Sequence, residues 1–309
     1  MRTERKGLFV SPLSFARLPV SQDFQHADIA ILGLPFDCGS HPTRLGARLG
    51  PNAIREQSVL SLELIEDAHN DPLQRQTVID AGDVNFSGGG LSAIGEFYAR
   101  TEHAITTILD NNCTPVSLGG DGAVFLPQIR SVHQKFPDVT VLHFDAHTDC
   151  YPLRSNEHFD NATPFTHAAN EGVLDIANSV HVGTRAPVNA DKSIAFTEQM
   201  GYRVLPWTKL AHMPVEQAST LIRSSLEGRP VYLCFDMDFF DPSAAPGVAT
   251  PTPGGPTTFE GLNLLRAMKG LNIVACDINT VSPPYDINGI TAQLAASIVL
   301  ECVSLIDAR

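Results

Sequence analysis

Apolar runs recur along the chain, each closed by glycine, proline or aspartate, and most of the strong ones are followed by a turn and a possible helical stretch. Residues 28–33 (DIAILG) read as a buried strand closed by Gly33 and Pro35. A weaker strand is predicted at 77–79, ahead of DAGDV, and a short one at 115–118, stopped by Gly119 and Gly120. Residues 139–144 (VTVLHF) predict a strong strand that runs straight into Asp145. Shorter candidates follow at 180–182 and 203–205; 231–235 (VYLCF) ends at Asp236, and 272–275 leads into Cys276 and Asp277. Helical spacing covers 91–109, and 291–303 predicts a closing amphipathic helix. The first two dozen residues are irregular. Near-continuous apolar strands alternating with helices predict a parallel sheet covered on both faces. No repeat, low-complexity tract or linker-like break divides the chain, so the reading is a single α/β domain over residues 1–309. Sites in such folds lie at the carboxyl ends of the strands, which is where the acidic clusters fall.

Composition narrows the partners. With 43% hydrophobic residues in 309, the chain can bury a large core. Acidic residues outnumber basic ones, 34 against 21, for a net charge of −13. That field argues against nucleic acid and anionic membranes but not against a cationic small substrate. No apolar run is long enough to span a bilayer, and MRTERKGLFV carries no secretory h-region, so a cytoplasmic protein is expected. The six cysteines (Cys38, Cys113, Cys150, Cys234, Cys276 and Cys302) form no CxxC pair, and free buried thiols are expected. Cys150 borders an acidic cluster but adjoins no basic residue, so it is expected to be inert. Gly119 and Gly120 lack the GxxxxGK[ST] context of a phosphate loop.

Two clusters carry chemistry. HFDAHTD places Asp145, His147 and Asp149 at the end of a strong strand, a good oxygen and nitrogen donor set for a divalent metal. DMDFFDP ends another strand with Asp236 and Asp238, which extended alternation would point to one side with Met237 opposite. Either cluster alone could merely cap loops or helix starts. Together, at two strand ends, they predict a metal site or the remains of one.

These segments, with GLPFD, RLGARLGPNAIR, DAGDV, SLGGDG, VGTR, CFDMDFFDPSAAPGVATPTPGG and DINTVSPPYD, resemble the ureohydrolases: arginases and, more closely, agmatinases. The resemblance covers nearly the whole chain. It implies the three-layer arginase-type α/β fold with a central parallel sheet, a trimer or hexamer, and a binuclear manganese site where hydroxide attacks a guanidinium carbon and urea leaves. Carried over, one metal would have Asp145, His147, Asp236 and Asp238, and the other Asp145, Asp149 and Asp236, with Asp145 and Asp236 bridging.

Several positions depart from the family pattern. GGDH reads GGDG, so Gly122 stands where the second metal's histidine belongs. HGTPF reads NATPF, with Asn161 for a proton-shuttling histidine, and DxxEV reads DINTV, with Thr280 for the guanidinium-binding carboxylate. TPE reads TPT, with Thr252. A glycine cannot coordinate through a side chain, asparagine exchanges no proton near neutral pH, and a hydroxyl cannot balance a cation. His158, near Asn161, could replace the lost histidine, although a solvent-facing loop position is the expectation. The site therefore reads as degenerate, with manganese or nickel at incomplete occupancy. The expected role is a subunit weakly active or inactive alone, paired with an active sister that hydrolyses a guanidino or biguanide (metformin) substrate. An autonomous hydrolase of a substituted guanidine and a non-enzymatic regulatory scaffold are the alternatives. Gly122→His is expected to raise metal occupancy yet restore little turnover, because Asn161 and Thr280 remain.

Overall fold

The computed structural model describes residues 13–38, 41, 44–61, 71–86, 90–155, 158–185 and 190–306. The apolar runs become the eight strands of one parallel sheet: β1 (Ile29–Gly33), β2 (Val78–Asp83), β3 (Thr114–Leu118), β4 (Thr140–Phe144), β5 (Val180–Val182), β6 (Arg203–Leu205), β7 (Pro230–Asp236) and β8 (Asn272–Asn279). Their order is β2-β1-β3-β8-β7-β4-β5-β6. The helices between and after them are α1 (Gly50–Ser61), α2 (Pro72–Arg75), α3 (Ile94–Asp110), α4 (Phe125–Lys135), α5 (Pro164–Glu171), α6 (Ala190–Gln199), α7 (Trp207–Leu210), α8 (Val215–Arg223), α9 (Thr258–Arg266) and α10 (Ile290–Leu305). Helices cover the sheet, which gives the three-layer α/β arrangement that the resemblance implies. MRTERKGLFV lies outside the described residues; from Leu13 to β1 the chain forms only the short turns Phe15–Arg17 and Phe24–His26.

Two apolar layers follow from strand alternation. Ile29 and Ile31 of β1 join one core, with Leu142, Phe144, Leu233 and Phe235, while Ala30 and Leu32 join the other, with Val141, Tyr232 and Cys234. Helices α1 and α10 pack together, as do α3 and α4. Helix α10 keeps only a narrow polar stripe, Gln293, Ser297, Glu301 and Ser304, and is otherwise buried after Ile290. All six cysteines are free and buried. Among the described residues no helix is long and apolar enough to cross a membrane.

Two strands run past the ends that sequence predicts, and each extension has a polar cause. β8 continues through Cys276 and Asp277 to Asn279 because Asp277 is satisfied inside the sheet. Tyr232 Oη donates to its Oδ2 (2.7 Å) and Asn279 Nδ2 to its Oδ1 (2.5 Å). β2 extends through DAGD because a buried arginine balances its aspartates. Arg55 Nε lies 2.8 Å from Asp80 Oδ2 and Nη1 2.5 Å from Asp83 Oδ1, while Phe15 N donates to Asp80 Oδ2 at 2.7 Å. The PNAIR and DAGDV motifs are thus two halves of one clamp between α1 and β2.

β7 and β8 enter between β3 and β4, so the carboxyl ends of β3, β8, β7 and β4 stand side by side. They deliver Asp121–Gly122, Thr280, Asp236–Asp238 and Asp145–Asp149 to one region. Arg55→Ala would leave Asp80 buried without its cation, and is expected to cost about 3–5 kcal/mol of stability in urea unfolding. A loss below about 1 kcal/mol would show that the clamp is dispensable.

Candidate metal centre and its cavity

The turn leaving β4 folds back on its own aspartate. His147 N donates to Asp145 Oδ1 (2.6 Å), which brings the His147 Nδ1 atom 3.2 Å from Asp145 Oδ1 and 3.2 Å from Asp238 Oδ2. Asp149 completes the turn with φ 46°, in the left-handed region that aspartate tolerates better than most residues. Asp236 ends β7 and caps the 3-10 turn Met237–Phe239, its Oδ1 accepting from Asp238 N (2.7 Å). The expected extended alternation of Asp236, Met237 and Asp238 therefore gives way to a turn, because capping draws Asp238 back over Asp236. The capping and ligand readings are compatible here: each aspartate shapes the loop that presents its neighbour.

Ligand-capable atoms of Asp145, His147 and Asp238 lie within 4.8 Å of one another, and those of Asp145, Asp149 and Asp236 form a second such group. Asp145 belongs to both. Asp236 groups with Asp149 and not with His147, and its Oδ1 also accepts from Thr280 Oγ1 at 2.5 Å. Charge is badly balanced in this cluster. Burial and then Asp238 and Asp145 push Asp236 well above the usual carboxylate range; burial and Asp145 do the same to Asp149. Burial raises Asp238 to about 6 against the pull of His147. Asp145 is held well below the range, since His143 and His147 overcome its burial. Asp238 and Asp145 likewise outweigh burial and hold His147 protonated well above its usual pKa. Asp145 Oδ2 is buried without a directed hydrogen bond; the His143 Nε2 atom stands 3.1 Å away, off hydrogen-bond geometry. Buried carboxylates in excess of their cations, with a spare oxygen among them, fit a divalent ion at Asp145, His147 and Asp238. The group of Asp145, Asp149 and Asp236 offers oxygen alone.

A cavity of about 270 Å³ opens onto this cluster. Gly122, Asn161 and Thr280 all line it, beside His147, Asp149, Asp236 and Asp238. A Cβ on Gly122 would stand 2.6 Å from Asp149 Oδ2 and 2.9 Å from the Asn161 carbonyl oxygen, so the main chain at 161 has closed over the place a side chain would need. Thr280 has φ 66°, an outlier for a β-branched residue, and is held there by Thr280 N donating to Gly120 O (2.7 Å) and by its hydroxyl on Asp236. Thr252 is buried with its Oγ1 3.4 Å from His147 Nε2.

Other readings settle as follows. His158 is only part-exposed, sits 3.0 Å from Asp160 Oδ2, and is not on the cavity wall; Asp160 is. Cys150 is buried and its thiol pushed up to about 11, which suits an inert side chain. Gly120 serves a close approach, since a Cβ there would run into the Phe36 carbonyl. Sequence reasoning passed over His143, which also meets His181 Nδ1 at 2.9 Å, although its i, i+2 spacing to Asp145 on a strand was the available signal. It also passed over the wall residues His41 and Tyr151, which no local pattern marks; Asp121, also on the wall, lies inside the SLGGDG motif.

The family model described as "Arginase family" matches residues 27–304. The chain belongs to the arginase family. It is 37% identical to the agmatinase of Proteus mirabilis over 309 aligned positions, covering 98% of this chain and 94% of that one. It is 33% identical to the guanidinobutyrase of Pseudomonas aeruginosa, with 94% and 91% covered. Among solved structures, the proclavaminate amidino hydrolase of Streptomyces clavuligerus superposes with a TM-score of 0.88 at 32% identity, over 96% of this chain and 97% of that one.

The Gly122 geometry revises the expected repair. Gly122→His must displace the Asn161 carbonyl before its imidazole reaches the cluster. The replacement is expected to cost about 1–3 kcal/mol of stability by overpacking. An unchanged urea midpoint together with tighter metal binding would show that the 161 segment yields freely.

Proposed function

We propose that this arginase-family chain is a ureohydrolase-type subunit with little turnover of its own, retained in an oligomer with an intact sister. The sister would hydrolyse a C–N bond of a guanidino or biguanide compound, metformin among them, and release urea. One observation carries the reading: Gly122, Asn161 and Thr280 share a single cavity wall with the ligand cluster. Departures scattered by drift would not converge on one wall while the clamp and turn motifs around it persist. The relatives' names, agmatinase, guanidinobutyrase and proclavaminate amidino hydrolase, support the substrate class.

A manganese or nickel ion held by Asp145, His147 and Asp238 would supply Lewis-acid polarisation and a lowered pKa for water. What the chain's own side chains lack is the remainder of the chemistry. The Thr280 hydroxyl faces Asp236 and the Asn279 carbonyl and offers a cationic guanidinium no balancing charge. Asn161 has no ionisable proton to relay. A trimeric or hexameric assembly in the cytoplasm completes this reading. The open cavity and its Asp160 wall favour a second reading, an autonomous hydrolase of a less basic or bulkier guanidine.

Alone, the purified chain is expected to hydrolyse agmatine and other guanidines at least about a hundredfold more slowly than an intact sister. Co-purified with that sister, it should carry Asp145→Ala and Asp236→Ala without loss of the complex's activity. If those replacements abolish activity while assembly survives, this subunit is catalytic and the autonomous reading prevails. After dialysis against metal-free buffer the chain should retain about one tight transition-metal ion, against two for a complete binuclear site. Elemental analysis finding two would overturn the degenerate-site reading.

A further inference from the structure

Two buried imidazoles stand behind the cluster on neighbouring strands. His143 of β4 and His181 of β5 are register partners across a parallel pair, so alternation sends both into the same layer of the core. We propose that His181 is a positioning residue for the metal centre: it donates its Nδ1–H to His143 Nδ1 and thereby keeps the Nε2–H of His143 turned to Asp145, the carboxylate common to both ligand groups. The proposal rests on the metal-centre reading and adds to it a residue that reaches Asp145 only through His143.

The contacts decide where the protons sit. His143 Nε2 lies 3.1 Å from Asp145 Oδ2, and both side chains are buried. A bare ring nitrogen there would set its lone pair against a carboxylate oxygen in a dry interior, so Nε2 carries a proton. On the other side of the ring, His143 Nδ1 meets His181 Nδ1 at 2.9 Å. Two nitrogens at that distance share one hydrogen, and one of them donates it. Were His143 the donor, its ring would carry two protons, and His181 would hold its own on Nε2. Among the described residues His181 Nε2 has no hydrogen-bond partner, and the rings of Phe165 and Tyr202 pack against it. An unpaired N–H would then be buried beside an imidazolium. With His181 as donor both rings are neutral, and only a bare nitrogen is left among the aromatic rings. Burial, and then the neighbouring His143, pushes His181 well below the usual histidine range, which keeps it uncharged.

Packing holds both rings in these roles. His143 stacks on Phe165 with centroids 4.4 Å apart, and His181 meets Phe165 and Tyr202 at steep angles, 4.8 and 4.9 Å away. Tyr202 is itself fastened, its hydroxyl donating to Phe165 O at 2.8 Å. The contact between the two Nδ1 atoms thus fixes which nitrogen of His143 faces Asp145. It thereby supports the orientation of a carboxylate whose other oxygen takes His147 N at 2.6 Å. A side chain that orients a ligand's own partner acts on metal affinity through geometry.

The test begins with the metal-stripped full-length chain carrying isotope-labelled histidine. Long-range proton–nitrogen correlation spectra near neutral pH should show the ring that disappears in His143→Gln with a bare Nδ1 and a protonated Nε2. The ring that disappears in His181→Gln should show the reverse. A His143 ring protonated on Nδ1, alone or together with Nε2, overturns the proposal and leaves the metal-centre reading standing. Manganese(II) binding is then measured by chelator competition. His181→Met fills similar space but cannot donate, and should weaken manganese at least about tenfold. His181→Gln can donate from its amide and should stay within about threefold of the parent chain. Equal losses in the two variants, or none in either, reduce His181 to packing and overturn the positioning role. Absence of manganese binding by the parent chain overturns that role together with the metal-centre reading.

Discussion

Four aspartates, Asp145, Asp149, Asp236 and Asp238, are forced together at the ends of two neighbouring strands, and their mutual repulsion is the constraint around which this end of the molecule is built. Desolvation and like charge drive three of them toward protonation, while His143 and His147 hold Asp145 ionised. Backbone donors contribute as well: His147 N serves Asp145, Asp238 N serves Asp236, and Ala146 N reaches Asp238 Oδ1 at 3.3 Å. The first two bonds each close a turn and the third joins the loops after β4 and β7, so the electrostatics and the loop shapes are one arrangement. A cation is the remaining element that such an arrangement can accommodate.

The motifs around the cluster also carry structural contacts of their own. Asp121 caps its turn through Ala123 N and ties Cys38 N at 2.7 Å, holding the loops after β1 and β3 together whether or not a histidine follows it. Arg185 Nη2 donates to the main-chain oxygens of Asp238, Phe240 and Thr252, so the VGTR segment braces the long loop after β7. Asp80 and Asp83 fasten β2 to α1 through Arg55. Changing any of these would disturb packing.

Thr280 is tied into the cluster by both its side chain and its backbone. Its hydroxyl bonds Asp236, and its strained backbone is pinned by Gly120, so the position contributes to the cluster's stability. The Asn161 carbonyl beside Gly122 is a comparable adjustment, since the loop fills space that a side chain would otherwise occupy. Both contacts tie the cavity lining to the ligand cluster, so replacing one of these residues disturbs the others.

The sequence by itself determined the strands, their carboxyl-end aspartates and the fold class, because an apolar run and the aspartate that closes it are neighbours along the chain. It also marked Gly122, Asn161 and Thr280 as departures, since each sits inside an otherwise matching motif. Only the tertiary structure decided which strands are adjacent: β7 and β8 return from far along the chain to lie between β3 and β4. That insertion sets Thr280 on Asp236 across 44 residues, groups Asp236 with Asp149, and lets buried partners carry β8 through Asp277. Contacts of this separation leave no periodic trace in the chain, because they depend on where distant segments pack and not on which residues stand side by side in sequence.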